Sequence, residues 1–331
     1  MLSSFTRPIG GRTYASLLVA AIIGTGLYLL ADYLFLGDDS LGRCSGRGLR
    51  ADNYIAECAG FFGSYEHPAH LYGLEPQAIE NMVRADVLIL GSSRAMAAFS
   101  TQATATYFRS LGTRFYLMGF GFNEQYRFAR AVMARFPPNP KAIIVNADPY
   151  FIYRTEPQFE RLLNGDAHSM IKSWFMRELQ RWQRSYCPHT PETEKQWICG
   201  TGTPLYRSSV DGRWEHEPSP TAASHAVNSS PSHRMEELES VLQMADEFRT
   251  DSPTPGRCIF ITSAPADGST DQLAAAVASR LGATMIMPPD GTSFQTFDHQ
   301  HLDPASAEAW SAVVLAQMRG PLQSCLGGGK P

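Results

Sequence analysis

The feature that most constrains this chain is a short apolar run, Val87-Leu88-Ile89-Leu90, that ends abruptly in Gly91-Ser92-Ser93-Arg94. An apolar run of this length without polar alternation reads as a parallel strand buried on both faces. The glycine lets the chain turn sharply, and the helix formers Ala95-Met96-Ala97-Ala98-Phe99 follow at once. Serines at such a turn stand at the carboxyl edge of a sheet, where open α/β folds bind ligands. They also stand at a helix amino terminus, whose N–H groups suit a developing negative charge. Two readings of Ser92 and Ser93 stay open here: a helix cap, or a nucleophile that needs a base from elsewhere in the chain.

The strand-then-helix pattern recurs. Arg114-Phe115-Tyr116-Leu117-Met118 ends in Gly119-Phe120-Gly121, and Ala142-Ile143-Ile144-Val145 ends in Asn146-Ala147-Asp148-Pro149. Cys258-Ile259-Phe260-Ile261-Thr262 and Thr284-Met285-Ile286-Met287 supply two more apolar segments. Helices are predicted between them, over about 94–108, from Tyr126 to the stop at Pro137-Pro138, over 157–186, and from about Arg234. Two more are predicted over Ser269–Leu281 and Pro304–Met318. In the 157–186 helix the packing positions are Trp174, Phe175, Leu179 and Trp182. Alternation of this kind predicts an α/β fold, a three-layer sandwich with a central parallel sheet and right-handed crossovers. With 44% hydrophobic and 18% charged residues the chain can bury a substantial core. A net charge of −4 without a basic block argues against a nucleic-acid surface.

Ala15 to Leu36 is apolar enough to predict a helix that crosses a membrane. Arg7 and Arg12 precede it and Asp38 and Asp39 follow, so the positive-inside rule keeps residues 1–13 in the cytoplasm. The expected layout is an anchor at 14–36, a linker at 37–80, the main body at 81–320 and a disordered tail at 321–331. His67-Pro68-Ala69-His70 in the linker reads as loop, since the proline interrupts a helix that would align two metal ligands. No metal or cofactor motif is present. Outside the cytoplasm disulfides are permitted. The economical pairings are Cys44–Cys58 and Cys187–Cys199, with Cys258 a free thiol in the core. From about 187 to 233 the composition shifts to Pro, Ser, Thr and His, too long for an ordinary connection, and reads as an inserted excursion. Trp197, Tyr206 and Trp214 there either stack on a sugar face or anchor the loop. Asn228-Ser229-Ser230 matches a glycosylation sequon.

Just before the final helix stands Phe297-Asp298-His299-Gln300-His301-Leu302-Asp303. Residues three apart in one turn face the same side, so the Asp298 carboxylate can hold a ring N–H of His301 and leave the other nitrogen to take a proton. This segment lies on the same sheet edge as the Gly-Ser-Ser turn, which favours a catalytic reading of the serine.

VLILGSSRAM, YLMGFGFNEQ, IIVNADPYF and FDHQHLD together resemble the blocks of the SGNH (GDSL-like) hydrolase superfamily, over residues 85–155 and 255–318. The likeness is greatest to its membrane-anchored bacterial branch, which handles acyl groups in alginate, cellulose and teichoic-acid modification. The resemblance implies a flavodoxin-like sandwich with Ser93 as nucleophile, His301 as base and Asp298 as its orienting acid. It implies an oxyanion hole from the Ser93 N–H, Gly121 (with Gly119 as the alternative) and an asparagine. The third block departs from Gly-x-Asn-Asp: Asp148 occupies the asparagine position, where an ionised carboxylate cannot donate, and Asn146 lies two residues earlier. The implied protein is a periplasmic serine esterase or O-acyltransferase of the bacterial inner membrane, needing no cofactor. It would act on an exopolysaccharide or envelope glycan, beside a membrane-bound O-acyltransferase or polysaccharide synthase. The alternative is an inactive subunit of the same fold that binds glycan or scaffolds such a complex.

Overall fold

In a computed structural model, residues 11–31, 44–58, 65–121, 126–151, 157–189, 199–200, 202–215, 225–227, 238–268, 271–289 and 291–327 are described. Ten strands are named: β1 (Asn53–Cys58), β2 (Val87–Gly91), β3 (Phe115–Gly119), β4 (Ala142–Asn146), β5 (Pro204–Ser208), β6 (Trp214–Glu215), β7 (His225–Ala226), β8 (Ile259–Thr262), β9 (Thr284–Met285) and β10 (Gln295–Thr296). The helices are α1 (Gly11–Ala31), α2 (Glu66–Leu71), α3 (Pro76–Val83), α4 (Ser93–Phe99), α5 (Gln102–Ser110), α6 (Tyr126–Arg135), α7 (Ala147–Tyr150), α8 (Pro157–Leu163), α9 (Ala167–Tyr186), α10 (Leu238–Asp251), α11 (Asp271–Leu281) and α12 (Pro304–Leu326).

The body is a five-stranded parallel sheet in the order β3-β2-β4-β8-β9, flanked by helices. Counting only these strands, the chain runs 2-1-3-4-5, a doubly wound order whose direction reverses between β2 and β4. Both faces of the sheet are covered, which explains why its strands lack polar alternation. Leu88, Leu90, Met118, Val145 and Ile261 point into a core shared with α2, α3, α6, α10 and α11. Val87, Ile89, Leu117, Ile144 and Phe260 point into a second core with α4, α5 and α12, centred on fully buried Trp310. The expected single helix over 94–108 is two, because Thr101 leaves helical geometry and its hydroxyl accepts from the Thr104 N–H. The expected helix over 157–186 likewise breaks at Gly165, which has φ +73°, and restarts on the Asp166 cap.

Several expectations are corrected. Residues 37–80 are not merely a linker: the described part carries β1, α2 and α3, with Tyr54, Ile55, Ala56 and Tyr65 buried. Strand β1 pairs antiparallel with β5, and β5 with β6, so the excursion after residue 187 builds a second sheet with a segment 150 residues earlier in the chain. Its β5–β6 turn closes on the edge strand β3. The Leu117 N–H donates to the Asp211 carbonyl at 2.8 Å, and Gly212, at φ +74°, has no room for a Cβ, which would come 2.3 Å from the Leu117 carbonyl oxygen. The edge is thereby capped.

His67 and His70 lie in helix α2, not in a loop, and both are buried. Pro68 is tolerated because it sits in the first turn, where its N–H would have no intrahelical partner. His70 is spent on the Glu66 carbonyl and the Tyr116 hydroxyl, at 2.9 and 3.0 Å. Trp174 and Trp182 are exposed rather than packed, while Phe175 and Leu179 are half-buried.

Cys44–Cys58 and Cys187–Cys199 are disulfides as the spacing predicts. Cys258 is not a free thiol but bonds Cys325 across 67 residues, with the two Cα atoms 5.8 Å apart. That bridge holds the end of α12, which continues to Leu326 with Leu322 buried, so the expected tail at 321–331 is helical from 321 to 326. Residues 11–31 form a helix whose Leu17, Leu18, Val19, Ile22, Ile23 and Leu27 are all exposed. Among the described residues no helix is long and apolar enough to cross a membrane. Helix α1 thus falls short of the expected span over 14–36: Ser16, Gly24, Thr25 and Gly26 dilute it, and Leu34, Phe35 and Leu36 lie outside the described residues.

Candidate functional site

The carboxyl end of β2 lies at the reversal point of the sheet, where the helices after β2 and β4 leave toward opposite faces. At Gly91 a Cβ would stand 2.4 Å from the Ala95 Cβ and 3.1 Å from the Asn146 Cβ, so only glycine lets the chain turn here. Ser92 is the cap: its hydroxyl accepts from the Arg94 N–H at 3.3 Å. Ser93 is thereby released from capping and becomes the first residue of α4.

Its partner comes from the loop between β10 and α12. Ser93 Oγ and His301 Nε2 are 2.8 Å apart, and His301 Nδ1 and Asp298 Oδ2 are 2.6 Å apart. Asp298 Oδ1 also accepts the Gln300 and His301 N–H groups at 3.0 and 2.7 Å, so the carboxylate holds both the ring and the turn that carries it. Partial burial by itself would raise the Asp298 carboxyl. The hydrogen bond and charge of His301 and the two N–H donors outweigh it and hold Asp298 below its ordinary value. The Phe297 ring stacks on the imidazole at 5.7 Å with planes 19° apart, limiting rotation of the base. A donor–acceptor line of this kind lets an imidazole take the serine proton while the carboxylate stabilises the resulting charge.

Two residues that sequence reasoning passed over close the arrangement. The buried Arg94 guanidinium, next to Ser93, donates through Nη2 to Gln300 Oε1, next to His301. Each stood beside a residue already singled out, but nothing in the sequence pairs positions 206 apart. The loop also carries His299 at φ +66°, unusual for a residue other than glycine. Its ring stacks on His225 of β7 at 4.3 Å, and its Nδ1 lies 3.0 Å from Asp267 Oδ2. Since β7 pairs with β10, the excursion braces the loop that bears His301.

The expected oxyanion donors fare less uniformly. The Ser93 N–H stands at the first position of α4, where a helix supplies no acceptor. Gly121 is corrected: its N–H donates to Glu66 Oε1 at 2.8 Å and is engaged within the fold. Glu66 Oε2 also accepts from Arg207 Nη1 at 3.0 Å and Trp214 Nε1 at 3.1 Å, in a pair buried completely on both sides. Gly119 lies in β3 directly beside Gly91 in register. Asn146 is buried beside the same glycine, and its amide oxygen accepts from the Ala264 N–H at 2.6 Å, tying β4 to the loop after β8. The side chain of Asp148 lies outside the described residues.

Of the three aromatics offered for a sugar face, Trp197 lies outside the described residues. Tyr206 and Trp214 are loop anchors instead. The Tyr206 hydroxyl donates to the Ser45 carbonyl at 2.7 Å and accepts from the Gly48 N–H at 2.9 Å, and the Trp214 indole is held by Glu66. Among the described residues no group of three or more His, Cys, Asp or Glu side chains could hold a metal ion.

No protein-family model matches the chain, and neither the curated proteins nor the solved structures contain a match.

Proposed function

We propose that this chain is a serine acyl-esterase or O-acyltransferase of the SGNH type, acting on acetyl or other acyl groups of an exopolysaccharide or envelope glycan. The observation that carries the reading is the unbroken Ser93–His301–Asp298 line, 2.8 and 2.6 Å long, at the reversal point of a parallel sheet. Ser93 Oγ attacks the ester carbonyl carbon as His301 Nε2 takes its proton. The tetrahedral adduct collapses, the proton passes to the departing alkoxide, and an acyl ester remains on Ser93. Water, or a sugar hydroxyl deprotonated by the same imidazole, then attacks that ester and restores the serine. Placement at the outer face of the bacterial inner membrane is supported by three disulfides and by the exposed apolar surface of α1. A membrane-bound O-acyltransferase or polysaccharide synthase is the fitting partner for the transfer reaction.

The test is labelling of the purified chain by a fluorophosphonate and cleavage of a chromogenic acetyl ester. Both are expected to be lost in Ser93→Ala and retained in the presence of chelators. A folded wild-type chain that neither labels nor cleaves would instead favour a non-catalytic, glycan-binding or scaffolding subunit. The engagement of the Gly121 N–H by Glu66 is the observation on that side.

A further inference from the structure

Helix α9 is inside out. Its buried side chains are Ser173, Met176, Gln180 and Gln183, three of the four polar. Its large outward side chains are Met170, Ile171, Trp174 and Trp182, exposed by 48, 53, 52 and 47%. An ordinary surface helix has the reverse arrangement. The inward polarity has a local cause. Gln180 lies along β1, its side-chain amide donating to the Ile55 carbonyl at 3.2 Å and accepting the Ile55 N–H at 2.8 Å, as a neighbouring strand would. Arg184 adds a bond to the Asn53 carbonyl at 2.7 Å. Among the described residues the outward apolar side chains Met170, Ile171 and Trp174 show no such internal reason. Single exposed apolar residues are ordinary, but four large ones in one stripe mark a surface that meets something.

We infer that the outer face of α9 rests on an anionic lipid surface and sets how the catalytic body is held against it. This rests on the membrane placement proposed above. Charge points to lipid: apart from Arg184, which is turned in to β1, α9 carries Lys172, Arg177 and Arg181 against Glu178 alone, in a chain whose net charge is −4. The aromatic residues fit as well, since tryptophan and tyrosine concentrate at the level of lipid headgroups, and here Trp182 stacks on Tyr186 at 5.2 Å. Chain length agrees. Twelve residues, 32–43, separate α1 from Cys44, spanning at most about 3.5 Å each when extended. The segment that follows packs directly on α9, since a Cβ at Gly46 would lie 2.9 Å from the Gln183 Cβ. The tether therefore ends beside the helix that carries the apolar stripe.

The full-length chain, reconstituted into phosphatidylcholine–phosphatidylglycerol vesicles with brominated acyl chains, tests this. Tryptophan emission should be quenched relative to unbrominated vesicles. That quenching should be lost in Trp174→Phe/Trp182→Phe, and also in Met170→Glu/Ile171→Glu, which keeps both tryptophans while repelling anionic lipid. Equal quenching in the wild type and the Trp174→Phe/Trp182→Phe variant overturns the inference. So does a chain that co-sediments with vesicles yet shows no quenching, or one whose stripe is buried in a dimer that Trp174→Glu dissociates. A chain that does not associate with vesicles at all removes the membrane placement itself, a separable failure.

Discussion

Arg94 and Gln300 join the two segments that carry Ser93 and His301, the proposed nucleophile and base. Following contacts and chain neighbours from Ser93 to His301, Asp298, Gln300, Arg94 and back to Ser93 gives a closed ring. Without the Arg94–Gln300 link, the Ser93–His301 hydrogen bond alone would join α4 to this loop within the ring. A second point of attachment prevents the loop from pivoting about that bond. Gln300→Ala is therefore expected to lower kcat for an acetyl ester about tenfold to a hundredfold, the scale of small misplacements of reacting groups, with KM little changed. Gln300→Glu keeps an acceptor for Arg94 and should recover most of the rate. Loss of activity only in proportion to loss of folded protein would refute the positioning role.

The Asp298 carboxyl sits below its ordinary value, so the ionised form is the one the fold favours. The contribution to stability is present above the unfolded carboxylate value, about 4, and is lost as pH falls through the lower folded value. Asp298→Asn should be less stable than wild type at neutral pH, with the difference shrinking in acid. Paired denaturant titrations at several pH values read this directly. The same variant should lower acyl-enzyme formation by about three to four orders of magnitude, because the ring loses the partner that fixes its tautomer.

Gly91→Ala places a methyl group against the Ala95 methyl and the Asn146 side chain, neither of which is a long flexible group. Overpacking of this kind costs about 1–3 kcal/mol. Because the displaced element is the start of α4, fluorophosphonate labelling of Ser93 should fall by more than the folded fraction does. Unchanged labelling kinetics would show that the turn tolerates a Cβ.

Glu66 and Arg207 are both fully buried, and together they bind β3, the β5–β6 turn and α2. Removing one partner leaves the other charge without compensation, so Glu66→Gln should destabilise the chain by about 3–5 kcal/mol. Adding Arg207→Met to that variant should recover part of the loss. An additive double variant, measured by the same unfolding transition, would deny the coupling.

What the sequence disclosed follows the range of the interactions involved. The central strands are legible because burial on both faces makes them uniformly apolar, and Asp298 with His301 because their contact is three residues long. The sequence also marks Gly91-Ser92-Ser93, although the division into cap and nucleophile needs the Ser92–Arg94 bond to be seen. Contacts between distant segments leave no local trace. Cys258 looks like a core thiol because its partner is 67 residues away, and the segment before residue 80 looks like linker because β1 pairs with β5. Gly121 looks like an oxyanion donor because nothing near it announces Glu66. Trp174 and Trp182 look like core because aromatic residues at helical spacing usually are.

The Cys258–Cys325 bridge closes a covalent ring that contains Asp298 and His301 but leaves Ser93 outside. In a chain held by its amino-terminal end, a pull at the carboxyl end enters the body at Cys325. It passes through sulfur to Cys258 and from there back along the chain toward the amino-terminal end, so that β8 stays inside the ring. The bridge is a mechanical shunt, and residues 259–324 carry no tension. His301 and Asp298 can keep their alignment under traction that would otherwise peel α12 from the sheet and take the loop with it.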